Sequence, residues 1–167
     1  MRKSMKALAI GIVMVICLVG GYYWAIGKAK KPAYAVNTPQ FIHERPDVVL
    51  RRLENGEQGV YYFGFADCPW CVELLPVLDE ALAVSDLQAY AVDTKGKDFT
   101  ETLRSRLSRF YARYYQNHLS VPFLVTILED GKVQTHVGTL EKHNAHEEPL
   151  TDKQKKELKK IVLALLR

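Results

Sequence analysis

Tyr61-Tyr62-Phe63-Gly64-Phe65-Ala66-Asp67-Cys68-Pro69-Trp70-Cys71 is the stretch whose reading decides the fold. Its first half is an aromatic run bounded by Gly59 and the Ala66-Asp67 turn, the composition of a buried strand. Its second half is a Cys-x-x-Cys. From Pro69 onward Leu74, Leu75, Leu78 and Leu82, with Val77, fall on one stripe at helical spacing. Pro76 inside that helix predicts a kink.

Two thiols at a helix N-terminus are placed to exchange a disulfide. The thiolate is the reactive form, and a free thiol at neutral pH is mostly protonated. Unpaired N–H groups and the helix dipole favour negative charge at that terminus, so a lowered pKa is expected for Cys68. Cys71, one turn in, would then be the resolving thiol. Pro69 fixes the first turn, and Trp70 offers a flat apolar surface to an extended substrate. Asp67 would oppose the Cys68 thiolate if it lay close. Glu73 reads most simply as an exposed glutamate.

The competing reading is half a zinc site, but zinc wants four ligands. No second cysteine pair exists, and His143-x-x-His146, in a loop that reads as solvated, is the available completion. A buried inert pair is the third reading. The strand-dithiol-helix context puts redox chemistry ahead of both. No metal and no cofactor are expected.

The chain has 167 residues, about one domain, with 48% hydrophobic and 25% charged residues, an ordinary globular balance. Arg2, Lys3 and Lys6 supply three of the net +4 charges, and the rest carries 20 basic and 19 acidic residues. That balance gives no argument for a nucleic-acid partner. Three cysteines are too few for a disulfide scaffold, and Cys17 lies in the N-terminal apolar run.

That run, Ala7 to Ile26, is 20 residues without a charge, about the length that spans a bilayer. It follows a basic head and contains Tyr22-Tyr23-Trp24 near its end, aromatics suited to a membrane interface. A single-pass signal anchor over residues 1–27 is expected, then a tether over 28–39 and the domain over 40–167. The basic head and the large following domain favour the cell membrane, with the C-terminal domain extracytoplasmic. Lys28, Lys30 and Lys31 weaken the charge bias, and Ala33-Tyr34-Ala35 offers an alternative, cleavage after Ala35. Cys17 reads as an apolar thiol in the membrane.

Beyond the tether, residues 40–43 read as a short edge strand and Pro46 opens a helix ended by Asn55-Gly56. Residues 87–92 read as the second main strand, parallel to 59–65. Asp98-Phe99-Thr100-Glu101 reads as a capping box opening a long helix to Leu119, with Phe99, Leu103, Leu107, Phe110 and Tyr114 at helical spacing. Arg104, Arg106, Arg109 and Arg113 read as its solvated basic face, with docking on an anionic membrane surface or an acidic partner as the alternative. Strands over 123–128 and 132–137 flank Asp130-Gly131, a two-residue hairpin signal. Residues 141–148 read as a polar loop. Thr151 to Gln154 is a second capping box, opening a last helix with Leu158, Ile161, Val162 and Leu165 toward the core.

These pieces together resemble the thioredoxin superfamily over roughly residues 36–166. The resemblance rests on Phe63 to Cys71, then Ser120-Val121-Pro122-Phe123-Leu124, then Leu128-Glu129-Asp130-Gly131-Lys132-Val133 followed by Gly138. It implies an α/β, thioredoxin-like fold: a central mixed sheet flanked by helices, with the four main strands in the order two, one, three, four. It implies that Cys68 attacks, Cys71 resolves, and Pro122 is a cis-proline packed against the dithiol, with the Val121 backbone pairing with substrate. Pro69-Trp70 stands where thioredoxins have Gly-Pro and glutaredoxins Pro-Tyr, and Thr139 after Gly138 departs from the Gly-Gly of glutaredoxins. Tyr62 occupies the place of a buried aspartate six residues before the first cysteine of thioredoxins.

With the anchor and the long helix, the chain is also similar to the thioredoxin-like accessory proteins of bacteriocin export. The expectation is a membrane-anchored thiol–disulfide oxidoreductase, an oxidase or isomerase before a reductase. Its partners would be protein or peptide thiols and disulfides, with a recycling partner in the membrane. The alternative is a non-catalytic binding or accessory module for an export system.

Overall fold

The sheet is organised around the strand that leads into the dithiol. The computed structural model describes Tyr34 and residues 36–167. The anchor expected over residues 1–27 lies outside them, and among the described residues no helix is long and apolar enough to cross a membrane. Strand β2, Gly59–Gly64, is buried from Val60 to its end. Successive side chains of a strand point to opposite faces, so a run buried throughout needs a layer on each side. Val60 and Tyr62 lie in one core cluster, Tyr61 and Phe63 in the other.

Strand β2 pairs in parallel with β3, Ala89–Asp93, and antiparallel with β4, Phe123–Ile127. Strand β5, Val133–Val137, is antiparallel to β4, and the two-residue β1, Phe41–Ile42, is parallel to β3. The order is therefore β1-β3-β2-β4-β5. This is the order expected of the four main strands, with β1 added at the edge. It is the α/β, thioredoxin-like arrangement of a mixed sheet flanked by helices. Phe63 sits opposite both Val92 and Phe123, which fixes the register where the strands approach the dithiol.

Two helices cover each face. On one, α2 (Pro69–Ser85) contributes Leu74, Leu75, Leu78 and Leu82, and α4 (Asp152–Leu165) contributes Leu158 and Val162. Tyr34 and Val36 pack against this cluster, so the chain is already on the core there. On the other face, α1 (Pro46–Glu54) contributes Val49, Leu50 and Leu53, and α3 (Glu101–Tyr111) contributes Leu103, Leu107 and Phe110. Helix α2 runs continuously through Pro76.

Three local expectations need correction. The helix expected over residues 98–119 covers Glu101–Tyr111, and its cap is Thr100, whose Oγ1 accepts the Leu103 N–H at 3.4 Å. The apolar spacing continues past Tyr111, but Tyr114 is exposed. The chain turns there because Tyr111 and Tyr115 both lay their rings against Phe123, and the Tyr115 hydroxyl reaches Thr135 Oγ1 at 3.1 Å. Those contacts draw the backbone across the sheet toward Pro122.

The second correction is the β4–β5 connection. Gly131 N–H donates to the Leu128 carbonyl, and Leu128 N–H donates to that of Lys132, both at 2.9 Å. Gly131, at φ +79°, takes the left-handed position of a three-residue loop, where a two-residue turn was expected. The third correction is the loop over residues 141–148, which is packed against α2 and partly buried. The expected capping box of α4 is present. Thr151 Oγ1 accepts the Gln154 N–H at 3.3 Å, and Gln154 Oε1 accepts the Thr151 N–H at 2.9 Å.

Candidate active site

The dithiol sits where β2 ends and α2 begins. The Cys68 N–H donates to the Phe65 carbonyl at 3.2 Å, closing a turn that carries the chain off the sheet. Cys68 has extended backbone at φ −90°, ψ 112° and is the N-cap of α2, with Pro69 in the first turn. Proline suits that position because its missing N–H would have no helical partner. The Cys68 sulfur therefore does the work of a capping oxygen and accepts the Cys71 N–H at 3.3 Å. Both cysteines are free, Cys68 6% exposed and Cys71 fully buried.

The two thiols are driven apart in acidity. Cys68 is lowered to about 7, chiefly by a hydrogen bond from the Cys71 thiol, against burial, which opposes the charge. The N–H groups of Cys71 and Trp70 and the charge of Lys95 add to the lowering. Cys71 is pushed strongly up, first as the donor to Cys68 and then by burial. One thiol is thus poised as a thiolate at neutral pH while its neighbour holds the proton, the division that stepwise disulfide exchange requires.

The loop before β4 closes the site from the other side. The Val121–Pro122 peptide bond is cis. The Val121 carbonyl stands 3.7 Å from Cys68 Sγ and accepts its S–H when the thiol is protonated. The Pro122 carbonyl accepts the Gly138 N–H at 2.9 Å, tying this loop to the end of β5. Cys68, Cys71, Val121 and Pro122 are thereby gathered within one site, although more than fifty residues separate Cys68 from Val121.

Trp70 is held in place by the loop after β5. Its Nε1–H donates to the His143 carbonyl at 3.3 Å, and its ring meets the His146 ring edge-on at 4.8 Å. Glu73, read from sequence as exposed, is 8% exposed, and the His143 side chain is 1% exposed. His143 Nε2 donates to Glu73 Oε2 at 2.7 Å, and the Leu150 N–H donates to Glu73 Oε1 at 3.1 Å. A buried carboxylate needs such partners, and here they come from a segment some seventy residues further along the chain. The two histidines are thus turned to α2 and not to a shared metal position. Among the described residues no group of three or more potential ligands converges.

Lys95, which the sequence did not single out, is the nearby cation: its Nζ lies 3.9 Å from the centre of the Phe65 ring. The tight strand-end at Gly64 is the other unforeseen feature. A Cβ there would fall 2.3 Å from the Tyr62 hydroxyl and 3.0 Å from Cys71 Sγ, so a side chain has no room. Asp67, on the turn before Cys68, is exposed.

No family model matches this chain, and no curated protein matches it. Among solved structures, the chain is similar to oxidized thioredoxin O2 from Arabidopsis thaliana, with 19% identity over 77% of this chain and 96% of that one, at a TM-score of 0.49.

Proposed function

We propose that this protein is a thiol–disulfide oxidoreductase that works through Cys68 and Cys71. The observation that carries this reading is the capping geometry. Cys68 Sγ accepts the Cys71 N–H at the start of α2, with a buried Cys71 thiol behind it and the Val121 carbonyl beside it. In the reducing direction the Cys68 thiolate attacks a substrate disulfide and one substrate sulfur leaves as thiolate. Cys71 then attacks the Cys68 sulfur of the mixed disulfide, and the second substrate thiolate leaves. Two electrons pass from the dithiol to the substrate. In the oxidising direction each step runs backward, with Cys68 as the leaving group when a substrate thiol resolves the mixed disulfide.

An oxidising setting outside the cell membrane supports donation of disulfides or their isomerisation over reduction. The edge beside Val121 and the cis-proline suits an extended substrate backbone, and Trp70 supplies an apolar contact next to the sulfur. The apolar N-terminal run supports placement of this chemistry at the extracytoplasmic face of the cell membrane, on a single-pass anchor. The substrates are then exported proteins or peptides.

Substrate trapping tests the reading. Cys68→Ala should abolish exchange, and Cys71→Ala should accumulate a covalent adduct through Cys68, visible on a non-reducing gel and lost on reduction. Full exchange activity in both single variants would overturn the mechanism. Absence of any adduct would leave a binding module without catalysis.

A further inference from the structure

Tyr62 is the largest buried polar group at the dithiol that the exchange scheme does not use. It is fully buried in the middle of β2, and its hydroxyl has no hydrogen-bond partner of ordinary geometry. The ring extends toward the end of its strand, and the hydroxyl occupies the space where a Cβ of Gly64 would stand. Cys71 Sγ borders the same space, 3.0 Å from that point, and the hydroxyl lies 2.3 Å from it. Glycine at 64 is what lets phenol and thiol share this space. Behind Tyr62 stands the Tyr34 phenol, from the segment leading into the domain.

We propose that the Tyr62 hydroxyl is the hydrogen-bond donor that stabilises the Cys71 thiolate when Cys71 resolves the mixed disulfide. The inference rests on the exchange reading for its role, though not for the contact itself. While Cys68 is a free thiolate, the Cys71 S–H has an acceptor in it. Once Cys68 is bonded to substrate, that acceptor is gone, and Cys71 must lose its proton inside a buried site. A thiolate there needs donors. The groups that favour it are the Phe65 backbone N–H and the Tyr62 hydroxyl.

Burial, then the nearby Tyr34 and Cys71, push the Tyr62 phenol far above its ordinary range, so it stays protonated and acts as a donor, not a base. The titratable groups facing it are Cys71 and Tyr34, and Tyr34 is influenced in turn by Asp93 and Cys68. In the step itself the Cys71 S–H proton leaves to the departing substrate thiolate or to water. The Cys71 sulfur bonds to the Cys68 sulfur, and the Cys68–substrate bond breaks. Tyr62 keeps its proton throughout.

The test is Tyr62→Phe in the full chain, with glutathione disulfide as probe. Formation of the Cys68–glutathione mixed disulfide should be unchanged. Its resolution by Cys71 should slow about tenfold, the usual effect of losing one hydrogen bond to a charged group. The pH midpoint of resolution should rise by about one unit. An unaltered resolution rate and midpoint would overturn the proposal. A parent protein that exchanges no disulfide would overturn the exchange reading instead. In that case the Cys71 titration, read from its 13Cβ shift in a Cys68→Ser background, still decides the contact. Tyr62→Phe should raise that midpoint, and no change refutes the hydrogen bond. Should Tyr62→Phe not fold, 3-fluorotyrosine at position 62 keeps the shape and strengthens the donor. The Cys71 midpoint should then fall, and an unmoved midpoint would refute the proposal.

Discussion

Replacing Cys71 with alanine should change the titration of Cys68 in a way that a rate at one pH would miss. Cys68 is lowered from 9.0 to about 7, so about half of it is thiolate at pH 7, against about one part in a hundred without the shift. The largest single cause is the donor S–H of Cys71. Cys71→Ala removes that donor and leaves the backbone N–H of residue 71, 3.3 Å away in the parent. Loss of one such bond is worth about one pKa unit, which places the variant near 8.

Thiolate at pH 7 would fall from about a half to about a tenth, yet each thiolate would become about threefold more nucleophilic as its basicity rises. The second effect partly offsets the first at pH 7, where alkylation should run at about half the parent rate. Above pH 9 only the second effect survives, and the variant should react about threefold faster. The assay is the rate of iodoacetamide alkylation of Cys68 from pH 5 to 10, followed by mass spectrometry. A parent midpoint near 9, or a Cys71→Ala midpoint that stays near 7, would refute the argument that Cys71 holds Cys68 as a thiolate.

Two other outcomes follow from the packing around the dithiol. Gly64→Ala drives a methyl group into the buried Tyr62 phenol and should cost about 1–3 kcal/mol in urea denaturation. Adding Tyr62→Phe should recover part of that loss, and strictly additive costs would show that the hydroxyl does not occupy the space. His143→Ala leaves the buried Glu73 carboxylate with Leu150 N–H as its remaining partner and should destabilise the fold by about 1–3 kcal/mol. It should also expose Trp70, read as a red-shifted fluorescence emission, and an unchanged midpoint and spectrum would refute the hold of the 141–148 loop on α2.

What was legible in the sequence is what local chemistry determines. The aromatic run before Cys68 could only be a buried strand, and the proline after Cys68 could only suit a helix start. The parallel pairing of 59–65 with 87–92 could be read from a strand-helix-strand unit, while the order of all four main strands came from the superfamily resemblance. Gln154 three residues after Thr151 announced the cap of α4. What stayed hidden depends on contacts between distant segments. Glu73 looks like any helix-surface glutamate until His143 and Leu150 are brought to it across seventy residues and more. The loop 141–148 is polar because its polar groups serve α2 as well as water. The end of α3 was misread because apolar spacing persists after the helix stops. Tyr111 and Tyr115 are used there as a wedge against Phe123.

The hold of His143 and His146 on Trp70 separates two tasks along the chain. The reacting sulfurs are set by β2 and α2, a contiguous stretch whose geometry is closed by its own turn and cap. The wall beside them is set by the connection between β5 and α4, which reaches Trp70 through His143 and His146 and is tied to α2 at the Glu73 carboxylate. Changes in that connection can re-shape which molecules fit without touching the electron-transfer pair. Under the proposed exchange function, segment 139–150 is then a separate selectivity element, and grafting a different one should change which substrates are taken while leaving the Cys68–Cys71 pair as it is.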